Sequence, residues 1–206
     1  MEKHETKIDG RKKRSACTRK AILESAKSVF LEKGYTGTTF KDISSRAGIG
    51  YGTVYIHFKD KEELLQNLVD DVMTKIGKVV YINYSPSRYA DVREIVYNQI
   101  YSVLKLAREN RHVFQIIWDA LGHSKVTRSY WDDIFNRFIE RTIEDLHYSQ
   151  EHHLARPLQT KIIAKGIVYM IREFLWDIVW ERENDIEQIS ENLFELYTGG
   201  VYQTTE

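Results

Sequence analysis

Apolar residues recur at three- and four-residue spacing along almost the whole chain, the repeat of amphipathic helices, and no segment alternates as a strand would. Ile22, Leu23, Ala26, Val29 and Phe30 share one face, which predicts a first helix from near Thr18 to Lys33, stopped by Gly34. Thr39 followed by Asp42 has the spacing of a capping box and opens a second helix over Phe40 to Ala47, with Ile43 and Ala47 inward. A turn at Gly48, a buried Ile49 and a restart through Tyr51-Gly52-Thr53-Val54-Tyr55 complete three short helices, whose core Tyr35 and Phe58 would close. Two short helices joined by a turn of a few residues containing Gly is the helix-turn-helix layout, in which the second helix enters the major groove.

The pattern then lengthens. Asp60 and Glu63 cap a helix running to Val80 on Leu64, Leu65, Leu68, Val72 and Ile76, and a break follows at Asn83 to Ser87. Further helices are expected from Arg88 to Glu109, through Val113 to Leu121, from Ser129 to Gln150, from Pro157 to Glu183 and from Asp185 to Tyr197. Gly122 to Thr127 reads as a loop and Gly199-Gly200 as the last stop. The segment after Pro157 is apolar on nearly every side, so it should be buried against more than one partner. The fold class is all-α, divided into a basic, disordered arm (1–14), a helix-turn-helix domain (15–62) and a larger helical body (63–206).

Charge adds a direction. The net charge is zero, yet residues 1 to 60 hold 13 Lys and Arg against 7 Asp and Glu, and the remainder hold 17 against 23. A basic front end suits the phosphate backbone, and the run Arg11-Lys12-Lys13-Arg14 could lie along DNA as basic arms do. No apolar run is long enough for a membrane span and the start has no signal-peptide pattern, so a cytoplasmic location is expected. Cys17 is the one cysteine and cannot form an internal disulfide.

The order Gly48, Ile49, Gly50, Tyr51, Gly52, Thr53, Val54, Tyr55, Ile56, His57, Phe58 and Lys61 resembles the reading head of the TetR family of bacterial one-component repressors. The resemblance covers residues 15 to 65; beyond them only helix order and length agree. The departure is Gly50, where the family usually has a Ser that caps the recognition helix; Gly is a weaker cap. Thr39, Thr53, Tyr55, His57 and Lys61 offer donors to phosphate oxygens, while Tyr51 and Gly52 are left for base edges.

The resemblance implies a homodimer on a double-stranded DNA operator, with half-sites about 34 Å or a multiple apart. It also implies a cavity for a small hydrophobic ligand, for which the expected lining is Tyr97, Tyr101, Trp118, Trp131, Phe135, Phe138, Tyr169 and Phe174. Ile167, Trp176, Val179, Leu193, Phe194 and Tyr197 are the expected dimer face. That lining has no clustered Asp or Glu, so a fatty acid or long-chain acyl-coenzyme A is the first expectation for the ligand. A drug-responsive repressor is the alternative, as is a protein that binds DNA constitutively.

No enzyme is expected, and neither a metal nor another cofactor. Glu109-Asn110-Arg111-His112 and Glu144-Asp145-Leu146-His147 match the Glu-x-x-His spacing of di-iron bundles, but the first straddles a helix break and the second points away from the Trp131/Phe135/Phe138 stripe.

Overall fold

The computed structural model describes residues 2–201, with side chains from Gly10 onward apart from Arg11. Among these residues there are nine helices and no strand. They are α1 (Glu2–Gly37), α2 (Phe40–Ala47), α3 (Tyr51–His57), α4 (Lys61–Val80), α5 (Tyr89–Glu109), α6 (Arg111–His123), α7 (Lys125–Glu151), α8 (Thr160–Val179) and α9 (Ile186–Val201). No helix among the described residues is long and apolar enough to cross a membrane.

Packing divides the chain into two compact units. The first holds the chain up to Asp71 together with Gln115–Thr127; the second holds Val72–Phe114 and the chain from Arg128 on. α4 and α6 therefore each contribute residues to both.

In the first unit α1 packs on α2 and α2 on α3. The α1 face carrying Ile22, Ala26, Val29 and Phe30 is buried, and Ile43, Val54, Tyr35 and Phe58 join it in one core. Helix α1 begins far earlier than the periodicity implied, so Lys12, Lys13 and Arg14 stand exposed on a helix instead of forming a disordered arm. The reason is that Lys and Arg are good helix formers that need no apolar face once a buried helix continues beyond them. The expected tail up to Asp9 falls on Met1 and on side chains outside the described residues. At the other end of α1 the backbone leaves the helix at Gly34, with φ 71°, a left-handed value that glycine adopts without strain.

In the second unit α5 packs on α8 and α9, and α8 on α9. Three boundaries differ from the sequence expectation. The Gly122–Thr127 loop shrinks to Ser124, a buried residue whose Oγ accepts the Thr127 N–H at 3.1 Å and so starts α7. Helix α8 begins at Thr160 and stops at Val179, followed by Glu181 in the left-handed region at φ 56°. Helix α9 runs through Gly199 and Gly200 to Val201, because Thr198 and Val201 are buried and the packing outweighs the roughly 1 kcal/mol that each mid-helix Gly costs.

Candidate functional site

The helix-turn-helix is held open by two caps of different quality. At α2 the Thr39 Oγ accepts the Asp42 N–H at 3.2 Å while the Asp42 carboxylate accepts the Thr39 N–H at 3.0 Å, a full capping box. Lys33 donates to the same carboxylate at 2.6 Å, and that bond, with those from Thr39, holds Asp42 down to about 2. The Thr39 O–H also goes to Asp42, at 2.7 Å, so a phosphate contact through it requires releasing the cap. At α3 the cap is Gly50, which contributes no side-chain bond. Between them Gly48 turns with φ 65°, and the Ile49 N–H returns to the Ser44 carbonyl at 3.1 Å.

This turn sets which side of α3 faces outward. Val54 is buried, Thr53 and His57 are half-buried, and Tyr51, Gly52, Tyr55 and Ile56 are exposed on one side. The Tyr51 and Tyr55 hydroxyls share a hydrogen bond at 3.0 Å, and the Tyr55 ring meets Phe40 edge-on at 4.8 Å. Tyr55 therefore joins the packing of α2 to the exposed face of α3. A Cβ on Gly52 would meet nothing within 4 Å, so this position leaves room for close approach of a partner. Ile56 is 81% exposed and was missed as a site residue because its apolar type reads as core. Such a side chain on a groove-reading helix suits the methyl group of thymine.

Lys61 occupies a different environment from that of the other expected DNA contacts. Its Nζ donates to the Tyr35 carbonyl at 2.8 Å and the Thr36 carbonyl at 3.4 Å, and lies over the Tyr35 ring. It thus caps carbonyls at the end of α1, the arrangement that favours a cation there. Asp119 of α6 acts on the same break, accepting the Tyr35 N–H at 2.5 Å. Arg19, stacked on Phe58, donates to the His57 carbonyl and to the Asn67 side chain, which ties α1 to the end of α3 and to α4.

The second unit encloses a cavity of about 110 Å³. Its apolar walls come from Met73 and Ile76 of α4, Val96 and Ile100 of α5, Trp131, Phe135 and Phe138 of α7, and Val168 and Leu175 of α8. Of the eight expected lining residues only Trp131, Phe135 and Phe138 reach it. Tyr97 stacks on Tyr101 and edges Phe194 beside a shallow surface groove, and Tyr101 donates to Glu187. Trp118 is half exposed and belongs to the first unit, Tyr169 is 41% exposed beneath Arg172, and Phe174 is not in the lining. These residues satisfy helical periodicity but occupy the wrong sides of their helices.

The polar lining was missed altogether. Arg141, Thr142 and Asp145 continue the Trp131/Phe135/Phe138 stripe by two more turns of α7, and Gln99 and Arg172 join from α5 and α8. The lining has no cluster of carboxylates, in line with the expectation, but it holds one, Asp145. Arg141 pairs with Asp145 at 2.9 Å, yet burial pushes the Asp145 carboxyl up to about 7 against the pull of that guanidinium.

The residues expected on the dimer face lie inside the single chain. Ile167, Trp176, Val179, Leu193, Phe194 and Tyr197 are all at most 7% exposed within a single chain, and Ile167 and Tyr197 line the cavity. The outward apolar residues here are Ile162 at 63% and Tyr169 on α8, Trp180 just past its end, and Leu196 at 63% on α9. Periodicity alone could not tell the inner from the outer apolar side of a helix as uniformly apolar as α8. Of the Glu-x-x-His pairs, Glu109 ends α5 whereas His112 lies on α6, and His147 Nε2 is bonded to Thr160 Oγ1 at 2.9 Å.

The family model described as bacterial regulatory proteins, tetR family, matches residues 22–68. The transcriptional repressor BepR of Brucella suis is 41% identical over 58 residues, a stretch that is 28% of this chain and 28% of that protein. The transcriptional repressor KstR2 of Mycolicibacterium smegmatis is 22% identical over 199 residues, covering 92% of this chain and 93% of its own. Among solved structures, SmeT in its triclosan complex superposes with a TM-score of 0.74 at 22% identity, over 91% of this chain and 93% of the other. The chain thus matches the TetR family of DNA-binding transcriptional regulators by sequence over its reading head, and over most of its length it shares the fold of solved structures such as SmeT.

Proposed function

We propose that the protein is a homodimeric, non-enzymatic transcriptional repressor that leaves its operator when a small apolar molecule fills the cavity of the second unit. The observation that supports this best is the pairing, in one chain, of an exposed α3 face built on Tyr51, Gly52, Tyr55 and Ile56 with an aromatic-walled cavity reached by α4. The α3 face suits the major groove, with Thr53, His57 and the surrounding lysines left for phosphates. Helix α4 carries residues of both units, so a ligand that prefers one position of Met73 and Ile76 acts on the helix that begins beside the reading head. The size of the response is set by the difference in ligand affinity between the DNA-competent and released states.

The dimer face in this reading is the outward side of α8 and α9, with Ile162, Tyr169, Trp180 and Leu196. Four helices, two from each copy, would cover these apolar residues. The ligand reading shifts as well. A cavity of about 110 Å³ is smaller than the roughly 300–1,000 Å³ of drug-sized sites, and the engineered pocket that binds benzene is about 150 Å³. A long acyl chain therefore requires a far larger expansion of the cavity than a single compact ring does, and this favours the drug-responsive alternative; SmeT, of the same fold, holds triclosan.

The deciding experiment is fluorescence anisotropy of the protein on its own upstream DNA with random DNA as control, followed by titration with small apolar compounds. Specific binding reversed by a compound is the expected result. Equal affinity for the two DNAs would remove the operator reading, and specific binding indifferent to every compound would leave a constitutive DNA-binding protein.

A further inference from the structure

The chemistry of the effector can be taken a step further, on the assumption that the regulatory reading above is right. Three charged side chains line the cavity: Arg141 and Asp145 of α7 and Arg172 of α8. The remaining polar lining is uncharged, with Gln99 from α5, Thr142 from α7 and the residues Tyr84 and Tyr197, and α4 contributes only Met73, Ile76 and Val80. Glu144, next to Asp145, is 69% exposed and interacts with Arg141 at 3.4 Å. Guanidinium groups thus outnumber carboxylates on the lining.

Arg141 is not saturated by the protein. One terminal nitrogen serves Asp145 at 2.9 Å and the Ile82 carbonyl at 2.8 Å, and the other serves Glu144. Its Nε is buried and has no acceptor. A buried donor left without a partner is costly, and because Arg141 is part of the cavity wall, a bound acceptor that reaches this Nε would relieve that cost. The Arg172 guanidinium lies over the Phe135 ring at 5.4 Å and so adds positive charge to the aromatic wall. Burial holds the Asp145 carboxyl near 7, so near neutral pH it is protonated about as often as it is charged, which weakens its hold on Arg141.

We infer that the cavity binds a compact aromatic acid, its ring among Trp131, Phe135 and Phe138 and its carboxylate accepting the Arg141 Nε–H. The volume limits the apolar part to about one ring. The excess of guanidinium groups selects an anion over a cation, and a fixed donor on a planar guanidinium suits a carboxylate. Protonation of Asp145 frees Arg141 and removes the one negative charge of the lining, so the acid binds more tightly on the acidic side of about pH 7.

The test is calorimetric titration of the full chain, without DNA, with benzoate, benzyl alcohol and benzylamine at about pH 6 and about pH 8.5, values that bracket the Asp145 titration. Benzoate should bind about tenfold or more tightly than the alcohol, and benzylamine most weakly. Arg141→Lys, which keeps the charge but lacks Nε, and Arg141→Met should remove the benzoate preference and leave the alcohol bound. Circular-dichroism melting checks that both variants fold. Asp145→Asn, a second and milder change, should abolish the severalfold loss of benzoate affinity between the two pH values. Tightest binding of benzylamine, or equal binding of benzoate and alcohol, would overturn the inference, as would laurate outcompeting benzoate. Arg141-dependent benzoate binding that leaves the operator complex intact would uphold the ligand class and sink the regulatory reading.

Discussion

Tyr51 and Tyr55 show how neighbouring residues of one type divide their work. Their hydroxyls are bonded to one another, but only Tyr55 also packs on Phe40. Tyr51→Ala should thus alter sequence preference while leaving the melting temperature nearly unchanged, whereas Tyr55→Phe should weaken operator and random DNA alike; binding to a library of operator variants distinguishes the two. If Tyr51→Ala left the preferred sequence as it was, the base contact would belong elsewhere, with Ile56 next in line. Asp145 is the second residue whose surroundings carry a measurable sign. Its folded value is raised to about 7 from a reference of 3.8, so the folded state binds this proton more tightly than the unfolded chain. Stability from this group is fully present below about pH 4 and is lost as the pH rises through about 7. Denaturant unfolding across that window should show a decline that Asp145→Asn flattens.

At the scale of elements, the break after Gly34 is where α1, α4 and α6 converge. The Tyr35 N–H is satisfied by Asp119 and the Tyr35 carbonyl by Lys61, so both polar groups of one backbone residue depend on side chains from other helices. Asp119→Ala removes the acceptor and should cost about 1–2 kcal/mol, discounted for a side chain that is 40% exposed. Since Asp119 contacts no expected DNA residue, operator affinity should fall through loss of folded reading head, and ought to recover in a stabilising osmolyte. A loss that persists under those conditions would mean that Asp119 acts on DNA binding by another route. The same geometry gives Lys61 a structural task beside its expected phosphate contact, so Lys61→Ala should lower stability as well as DNA affinity.

At the scale of the whole molecule, the proposed dimer rests on the outward face of α8 and α9. The residues chosen from periodicity are buried inside one chain, and Ile162 and Leu196 are the most exposed apolar positions of α8 and α9. Ile162→Glu combined with Leu196→Glu should yield monomers in sedimentation and lower operator affinity by about tenfold or more, because a monomer reads one half-site. The single-chain fold should survive, as neither side chain belongs to the core. A variant that remained dimeric would place the interface on another surface.

The reading head was legible in the sequence because its determinants are local. The Thr39–Asp42 cap, the Gly48 turn and the Gly52-Thr53-Val54-Tyr55 order act within a few residues of one another, and α2 and α3 have the bounds that those signals imply. Helix identity in the body was legible for the same reason, since a three- and four-residue apolar repeat is a property of each segment alone. Which side of each helix meets which neighbour was not. Tyr97, Tyr101, Tyr169 and Phe174 fit helical faces as well as Phe135 does, but only the packing of α5, α8 and α9 decides which aromatic side turns inward. Nothing in the sequence singles out Arg141 and Asp145, because opposite charges four apart on a helix are ordinary on a solvated face. The tertiary structure turns them onto a cavity, where burial changes the protonation of one and leaves a donor of the other without an acceptor. Local order is written in spacing, whereas burial depends on residues far away in the chain, and it is burial that gives this cavity its chemistry.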